Sequence, residues 1–210
     1  GFTVTDTTAD RDGVDHFTDV KYLRLADSFV AVNFDSMNGT VSVSAAGYSE
    51  TGTSTADALS GFSGSDTLRG AAGGDTLSGG DGIDLIYGNK GNDRLVGGGG
   101  EDTLFGGQQS DAVFGLSGAD QVYGNKQNDT LYGGTENDSL FGGQHNDLLY
   151  GQAGNDRVDG NRGDDTLFGE DGIDTFVISK GDDWVMDFSI AEDKIESADA
   201  YTAITQTVSS

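Results

Sequence analysis

Apolar and polar residues between positions 61 and 177 follow a nine-residue pattern that repeats thirteen times. Every unit begins with glycine, has aspartate at position 6 and has a large apolar residue at position 8. Glycine supplies the positive φ of a compact turn, which suits positions 1, 2 and 4. Only position 8 is apolar throughout, as expected for a very short strand with one buried face. The pattern therefore predicts a turn followed by a short strand in each unit.

The position-8 residues form the predicted core. They are Leu68, Leu77, Ile86, Leu95, Leu104, Val113, Val122, Leu131, Leu140, Leu149, Val158, Leu167 and Phe176. One unit cannot bury its single apolar side chain, whereas stacked units can. Two units would make one 18-residue coil with parallel strands on two faces, and thirteen units would extend roughly 31 Å at about 4.8 Å per strand. We therefore expect an all-β solenoid with two nonapeptides per coil.

The aspartates at position 6 indicate a metal site. They are Asp66, Asp75, Asp84, Asp93, Asp102, Asp111, Asp120, Asp129, Asp138, Asp147, Asp156, Asp165 and Asp174. Aspartates 18 residues apart would stack about 4.8 Å apart, where bare carboxylates repel unless a cation lies between them. Glycine turns also direct backbone carbonyls inward, which completes an all-oxygen cage suited to Ca²⁺ in preference to Zn²⁺ or copper. We expect up to about eleven ions, one for each stacked pair.

The run resembles the GGxGxDxUx nonapeptide of the RTX (repeats-in-toxin) family, over about 117 of the 210 residues. The resemblance implies a right-handed parallel β-roll with Ca²⁺ in its turns, closed by short β caps at both ends. It also implies an extracellular protein that leaves the cell through type I secretion machinery. Besides the aspartates, the implied ligands are the position-4 glycines Gly64, Gly73, Gly82, Gly91, Gly100, Gly118, Gly154, Gly163 and Gly172. A metal-free glycine-rich solenoid is the alternative, but it leaves the aspartates uncompensated.

Four units depart from glycine at position 4, with Gln109, Gln127, Glu136 and His145. Gln109, Gln127 and His145 would stack on the same edge. A side chain at positive φ costs about 1 kcal/mol, so we expect weaker or altered sites in the middle of that edge. A hydrogen-bonded Gln ladder would offset part of the cost. His145 is not favoured as a transition-metal ligand, because no second His or Cys is near it.

A second period, of 36 residues, is superimposed on the first. The segments 88–93, 124–129 and 160–165 correspond as GNKGND, GNKQND and GNRGDD, which suggests duplication of a two-coil block. This period places Lys90, Lys126 and Arg162 on one edge, two coils apart. We expect these cations to weaken the negative electrostatic potential at that edge. The alternative is that they bind an anion.

Position 9 carries eight aromatic residues that predict two outward ladders. One ladder is Tyr87, Phe105, Tyr123 and Phe141, and the other is Phe114, Tyr132, Tyr150 and Phe168. Cross-strand stacking would rigidify each sheet. Alternatively, an exposed apolar stripe marks a surface that contacts neighbouring molecules.

The flanking segments differ from the repeat. In residues 1–60, alternating residues predict short strands at 2–5, 21–25, 28–32 and 40–43. We expect this segment to cap the N-terminal end of the roll, with 47–60 as a linker. Residues 178–210 resemble the strand pair that closes RTX rolls, with Trp184 and Phe188 as plugs over the last coil and room for a C-terminal secretion signal.

Composition limits the partners and the chemistry. A net charge of -25 opposes compaction unless cations neutralise it, and it argues against nucleic acid or anionic membrane as a partner. There is no apolar run of membrane-spanning length and no recognisable signal peptide. Because the chain begins at Gly1 without methionine, we expect a fragment or a processed product.

Catalysis is not expected within these residues. Two His, no Cys and no HExxH motif exclude the zinc-protease site, and no GxSxG elbow is present. A longer parent chain leaves room for a catalytic domain before Gly1. Three classes of function stay open: a calcium-dependent folding and secretion module, a surface-layer, filament or adhesin subunit that self-associates or contacts the cell surface, and a noncatalytic carbohydrate-binding module.

Overall fold

The computed structural model describes residues 22–25, 28–35, 40–44, 47 and 49–197, and every regular element in these ranges is a β-strand. The chain divides into two compact units, Gly1–Ala45 and Ala46–Ser210. Among the described residues, no helix is long and apolar enough to cross a membrane.

The first unit contains an antiparallel sheet of three strands in the order β1-β2-β3. They are β1 (Tyr22–Leu25), β2 (Ser28–Asp35) and β3 (Thr40–Ser44). These strands confirm three of the four predicted near the N-terminus, and the one at 2–5 lies outside the described residues. The cap role of this segment stays a prediction.

The described residues of the second unit, 47 and 49–197, contain seventeen strands. They are β4 (Ser49–Thr51), β5 (Ala58–Ser63), β6 (Thr67–Ala72), β7 (Thr76–Asp81), β8 (Leu85–Lys90), β9 (Arg94–Gly99), β10 (Thr103–Gln108), β11 (Ala112–Ser117), β12 (Gln121–Lys126), β13 (Thr130–Thr135), β14 (Ser139–Gln144), β15 (Leu148–Ala153), β16 (Arg157–Arg162), β17 (Thr166–Asp171), β18 (Thr175–Ile178), β19 (Trp184–Val185) and β20 (Lys194–Ser197).

These strands form two parallel sheets, as the nonapeptide repeat predicts. The even sheet contains nine strands in the order β20-β18-β16-β14-β12-β10-β8-β6-β4, and the odd sheet contains eight in the order β19-β17-β15-β13-β11-β9-β7-β5. From β4 to β19 each strand pairs with the one 18 residues away, so that Leu104 lies opposite Ile86 and Val122, whereas β18 and β20 are offset by 19 residues. The two sheets alternate along the chain and make a parallel β-roll.

The strands are longer than the very short strand that the pattern predicts around position 8. From β5 to β17 each has six residues, running from position 7 of one unit to position 3 of the next. Asn89 and Lys90, at positions 2 and 3, pair with Gly107 and Gln108 of the next coil, whereas Gly106 at position 1 is not paired in this register. The short apolar segment therefore determines only half of each strand.

The core is a single column of apolar side chains between the sheets. All thirteen predicted position-8 residues, from Leu68 to Phe176, have no exposed surface. Full burial of such a side chain contributes about 1.5–3 kcal/mol. Since each unit supplies only one of them, the core is thin for the length of chain that it orders.

The ladder of strands extends beyond residues 61–177 at its N-terminal end. Residues 47–60 were expected to be a linker, but they contain β4 and the start of β5. Leu59 lies opposite Leu77 and packs against the core, and Glu50 lies opposite Leu68. The linker prediction is therefore wrong for these residues, because Leu59 already occupies the apolar position of a further unit.

At the C-terminal end, β19 and β20 close the two sheets. Phe188 contacts Phe176 edge to face at 6.2 Å between ring centroids, as expected of a plug. The prediction for Trp184 is wrong, because it is 63% exposed. Trp184 lies opposite Thr166, and the inward position belongs to the next residue, Val185, which lies opposite Leu167.

The two aromatic ladders form as predicted. Neighbouring rings stack at 4.8 to 5.0 Å with interplanar angles of 4° to 12°. Arg69 lies over the ring of Tyr87, and Arg94 lies over that of Phe114. Most ring faces are therefore covered by another ring or by a guanidinium group, which leaves mainly ring edges for contact with other molecules.

Replacement of a core leucine tests this packing. We expect Leu131→Ala to lower the free energy of unfolding by about 2–5 kcal/mol, because it leaves a cavity in the column. The control is Leu116→Ala, at a side chain that is 45% exposed, with an expected loss near 0.5 kcal/mol. Denaturant unfolding in excess Ca²⁺ measures both, and equal losses would contradict the assigned core.

Candidate metal centre

The turns bring the aspartates together in two rows. The turns that follow even-sheet strands form the even edge, and those that follow odd-sheet strands form the odd edge. The even edge carries Asp75, Asp93, Asp111, Asp129, Asp147 and Asp165, and the odd edge carries Asp66, Asp84, Asp102, Asp120, Asp138, Asp156 and Asp174. All thirteen side chains are buried.

One oxygen of each stacked carboxylate is held by the backbone. The N–H of Asp111 donates to Oδ1 of Asp129 at 2.8 Å, and the same bond joins all eleven stacked pairs at 2.7 to 2.9 Å. The expectation that these carboxylates have no partner except a cation is therefore wrong for Oδ1. A carboxylate that accepts a backbone N–H has part of its charge compensated without any metal.

The second carboxylate oxygen, Oδ2, does not receive such a hydrogen bond. From Asp75 to Asp165, Oδ2 of every ladder aspartate is buried and has no hydrogen-bond partner among the described residues. In each unit this oxygen lies against the glycine at position 1, so a Cβ at Gly124, for example, would overlap Oδ2 of Asp129. Buried polar atoms without partners are rare in folded proteins. A row of them fits a site that takes a cation.

Burial also changes the ionisation of these groups. It raises the pKa to about 8 for Asp129, Asp138 and Asp147, to about 7 for Asp102, Asp111 and Asp165, and to about 6 for Asp66, Asp120 and Asp156. For Asp129 the bond from the Asp111 N–H lowers the pKa, and repulsion by the Asp111 and Asp147 carboxylates raises it further. Without a cation, the charged form is therefore disfavoured at neutral pH for Asp129, Asp138 and Asp147.

Backbone carbonyl oxygens also face the turns. A Cβ at Gly82 would overlap the carbonyl oxygen of Gly64, and one at Gly100 would overlap that of Gly82. The position-4 carbonyls thus face the next turn of the same edge. Among the described residues no three His, Cys, Asp or Glu side chains form a metal cluster. Any ion here would be held by one or two carboxylates and by carbonyl oxygens, a donor set that fits Ca²⁺.

The predicted position-4 glycines lie in these turns on both edges. Where glycine is present, φ lies between 104° and 152°, whereas Gln109, Gln127, Glu136 and His145 have φ between 73° and 78°. These four turns therefore differ in backbone conformation, and the weaker or altered sites expected at Gln109, Gln127 and His145 stay a prediction. A hydrogen-bonded Gln ladder that offsets part of this cost has no support, since among the described residues no hydrogen bond joins the side chains of Gln109 and Gln127.

Three further aspartates extend the rows and were missed by the repeat. The N–H of Asp57 donates to Asp75, that of Asp165 donates to Asp183, and that of Asp174 donates to Asp193. Each follows the Asp-x-apolar pattern, in 57–59, 183–185 and 193–195. The signal was present in the sequence, but with an incomplete set of turn glycines: 52–60 has Gly52 at position 1 and Thr55 at position 4, and 178–186 has Gly181 at position 4 and Ile178 at position 1.

A second row of hydrogen bonds lies at position 5 and was also missed. Oδ1 of Asn137 accepts the N–H of Asn155, whose own Oδ1 accepts the N–H of Ile173. On the even edge, Asn146 is linked to Asp164 and Asp164 to Asp182 in the same way. These bonds tie neighbouring turns together at the surface, outside the aspartate rows.

The raised pKa values predict opposite pH dependences with and without metal. The folded-state pKa lies above the unfolded value of about 3.9, so without metal the contribution of these groups to stability is complete below pH 4. It is lost as pH rises through 6 to 8. In chelator, we therefore expect β content to increase as pH falls from 8 to 4.

In excess Ca²⁺ the dependence should be reversed, because protons compete with the ion for the same carboxylates. Far-UV circular dichroism at a series of pH values measures both arms, with light scattering to detect precipitation near the isoelectric point. The same pH dependence in chelator and in Ca²⁺ would contradict the assignment.

The comparisons with known proteins agree with this geometry. A search of the curated proteins finds no match. The model of the RTX calcium-binding nonapeptide repeat matches residues 51–77, 78–113, 105–140, 114–149 and 141–176, which together span more than half of the chain. RTX repeats of this kind form a noncatalytic calcium-binding roll. The chain belongs to the family of RTX calcium-binding nonapeptide repeat proteins.

Proposed function

We propose that this roll is the calcium-dependent folding module of a secreted protein, which leaves the cell unfolded through type I secretion machinery and folds on Ca²⁺ outside. The row of buried Oδ2 atoms without hydrogen-bond partners from Asp75 to Asp165 is the observation that carries the proposal. It makes the folded state dependent on a ligand that the unfolded state does not need.

The energetics support a folding switch. A buried carboxylate is strongly unfavourable unless it is paired with a cation or protonated. Unfolding returns each of these groups to water, where the charge carries no such cost. Ions that bind the folded state alone stabilise it by mass action, by about 2.7 kcal/mol for each independent site when the free ion is at a hundred times its dissociation constant. We propose up to about eleven ions, one for each stacked pair, with Asp66 to Asp174 and the position-4 carbonyls as ligands.

The Ca²⁺ concentration of each compartment would then determine whether the chain is folded. Cytoplasmic Ca²⁺ is too dilute to fill such sites, so repulsion among the aspartates, in a chain of net charge -25, keeps the chain unfolded and suitable for export. Millimolar Ca²⁺ outside the cell supplies the missing binding free energy. The roll would therefore fold only after secretion, and it is proposed to remain extracellular or attached to the cell surface.

The aromatic ladders give no support to the carbohydrate-binding alternative. Recognition of sugars by aromatic residues uses ring faces, and most of these faces are covered by stacking. A structural role through self-association depends on another surface, namely the two turn edges.

A Ca²⁺ titration followed by far-UV circular dichroism tests the proposal. We expect a cooperative transition from coil to β-structure at about millimolar Ca²⁺, because binding and folding are coupled. Mg²⁺ is the control, and it should not produce the transition, since it keeps much of its water and demands octahedral geometry. A β-spectrum that persists in excess chelator at neutral pH would overturn the proposal.

A further inference from the structure

The strand ends beside the two edges of the roll carry different exposed charges, and exposed acids on the even edge, Asp164 and Asp182, occur only toward its C-terminal end. Lys90, Lys126 and Arg162 are the last residues of β8, β12 and β16, next to the even edge. On or next to the odd edge are Glu101, after β9, Glu136, after β13, and the pair Glu170 and Asp171 at the end of β17. All of these residues are exposed.

The opposite charges lie at the same levels of the roll. β8 and β9 belong to one coil, β12 and β13 to another, and β16 and β17 to a third. Successive levels are two coils apart, so one coil lies between them. At about 4.8 Å per coil, the levels are roughly 10 Å apart. Each of the three coils therefore has a cation beside one edge and carboxylates at the other. The cations follow the 36-residue period, whereas the carboxylates occupy different positions of their units.

These charges are not paired within the molecule. In residues 49–197 the one ion pair joins Arg157 to Glu196, at 2.7 Å, near the C-terminal end of the even sheet. The strands β6 to β14 of the even sheet contain no Asp or Glu, so Lys90 and Lys126 have no acidic neighbour on their own face. The cations beside the even edge are thus available to another molecule.

We propose that folded rolls associate side by side, with the even edge of one copy against the odd edge of a second copy. A sideways translation brings Lys90 level with Glu101, Lys126 level with Glu136, and Arg162 level with Glu170 and Asp171. The contact is heterologous and does not close, so it produces an open row of parallel rolls. This inference rests on the proposed function, because the edges exist only after the roll has folded.

A second copy is favoured over a foreign acidic chain by spacing. An extended polypeptide presents side chains on one side about every 6.6–6.8 Å, which does not match cations roughly 10 Å apart. The odd edge of another roll has the required spacing because both edges are built on the same coil.

The association should be weak and dependent on conditions. Exposed ion pairs contribute little individually, and salt screens them over about 10 Å at 0.1 M. The net charge of -25 also keeps copies apart until bound Ca²⁺ reduces it. We therefore expect association at low ionic strength and high protein concentration, in Ca²⁺ and not in chelator.

Charge reversal at each edge tests the proposal. The first variant, K90E/K126E/R162E, reverses the even edge, and the second, E101K/E170K/D171K, reverses most of the odd edge. Glu136 is left unchanged because its carboxylate accepts bonds from the Gly118 N–H and the Thr135 hydroxyl. Sedimentation velocity in Ca²⁺ at low salt should show self-association of the wild type, at least tenfold weaker self-association of each variant alone, and recovery in an equal mixture of the two.

The second variant separates edge pairing from net charge. It makes the protein less negative, so a simple net-charge effect would strengthen its self-association, whereas edge pairing predicts a loss. Glu192→Lys, an exposed reversal away from the strands of both edges, is the control and should associate like the wild type.

Circular dichroism in Ca²⁺ first confirms that each variant folds, so failure of folding, which would contradict the proposed function, is distinguished from failure of association. A folded wild type that stays monomeric at high concentration and low salt would overturn the inference. So would binding of soluble polyglutamate to a wild-type monomer that K90E/K126E/R162E abolishes, since that result assigns the even edge to a foreign polyanion.

Discussion

The structure depends on how the buried carboxylates in the turns are compensated. From Asp75 to Asp174, each ladder aspartate receives a backbone N–H at one oxygen, which fixes its side chain and the stacking of the turns. The other oxygen is buried without a hydrogen-bond partner from Asp75 to Asp165. The same arrangement that holds the turns in register therefore makes the metal-free fold unfavourable at neutral pH, and a hard cation is the ligand that removes the conflict.

The thin core explains why this compensation matters so much. One fully buried side chain in nine residues, as at Leu104 or Leu131, is little hydrophobic stabilisation against the conformational entropy of ordering a glycine-rich unit. The aromatic ladders and the hydrogen bonds between neighbouring strands add to this stabilisation. However, they also form only once the coils are stacked. Folding is consequently cooperative along the roll, and binding at the turns decides whether it occurs.

The strict columns of the repeat made much of this predictable. Fixed Gly, Asp and apolar positions were enough to predict the core, the stacked aspartates and both aromatic ladders. The sequence failed where geometry adds something that residue type does not encode: the N–H bond to Oδ1, the pairing of positions 2 and 3, and the outward direction of Trp184 opposite Thr166. The ends were misjudged because the segments that contain the start of β5 and β19 keep the Asp-x-apolar pattern without the full set of glycines that marks a unit. The metal ligands themselves stay predictions.

The most direct measurement compares the wild type with Asp129→Asn, which keeps an oxygen for the Asp111 N–H but removes the charge. In chelator, osmolyte-induced folding followed by circular dichroism should need less osmolyte for the variant, because one buried repulsive charge is gone. In Ca²⁺, denaturant should unfold the variant earlier, because a ligand is lost. Asp171→Asn, at an exposed carboxylate, should change neither transition. A variant destabilised equally in chelator and in Ca²⁺ would contradict the account.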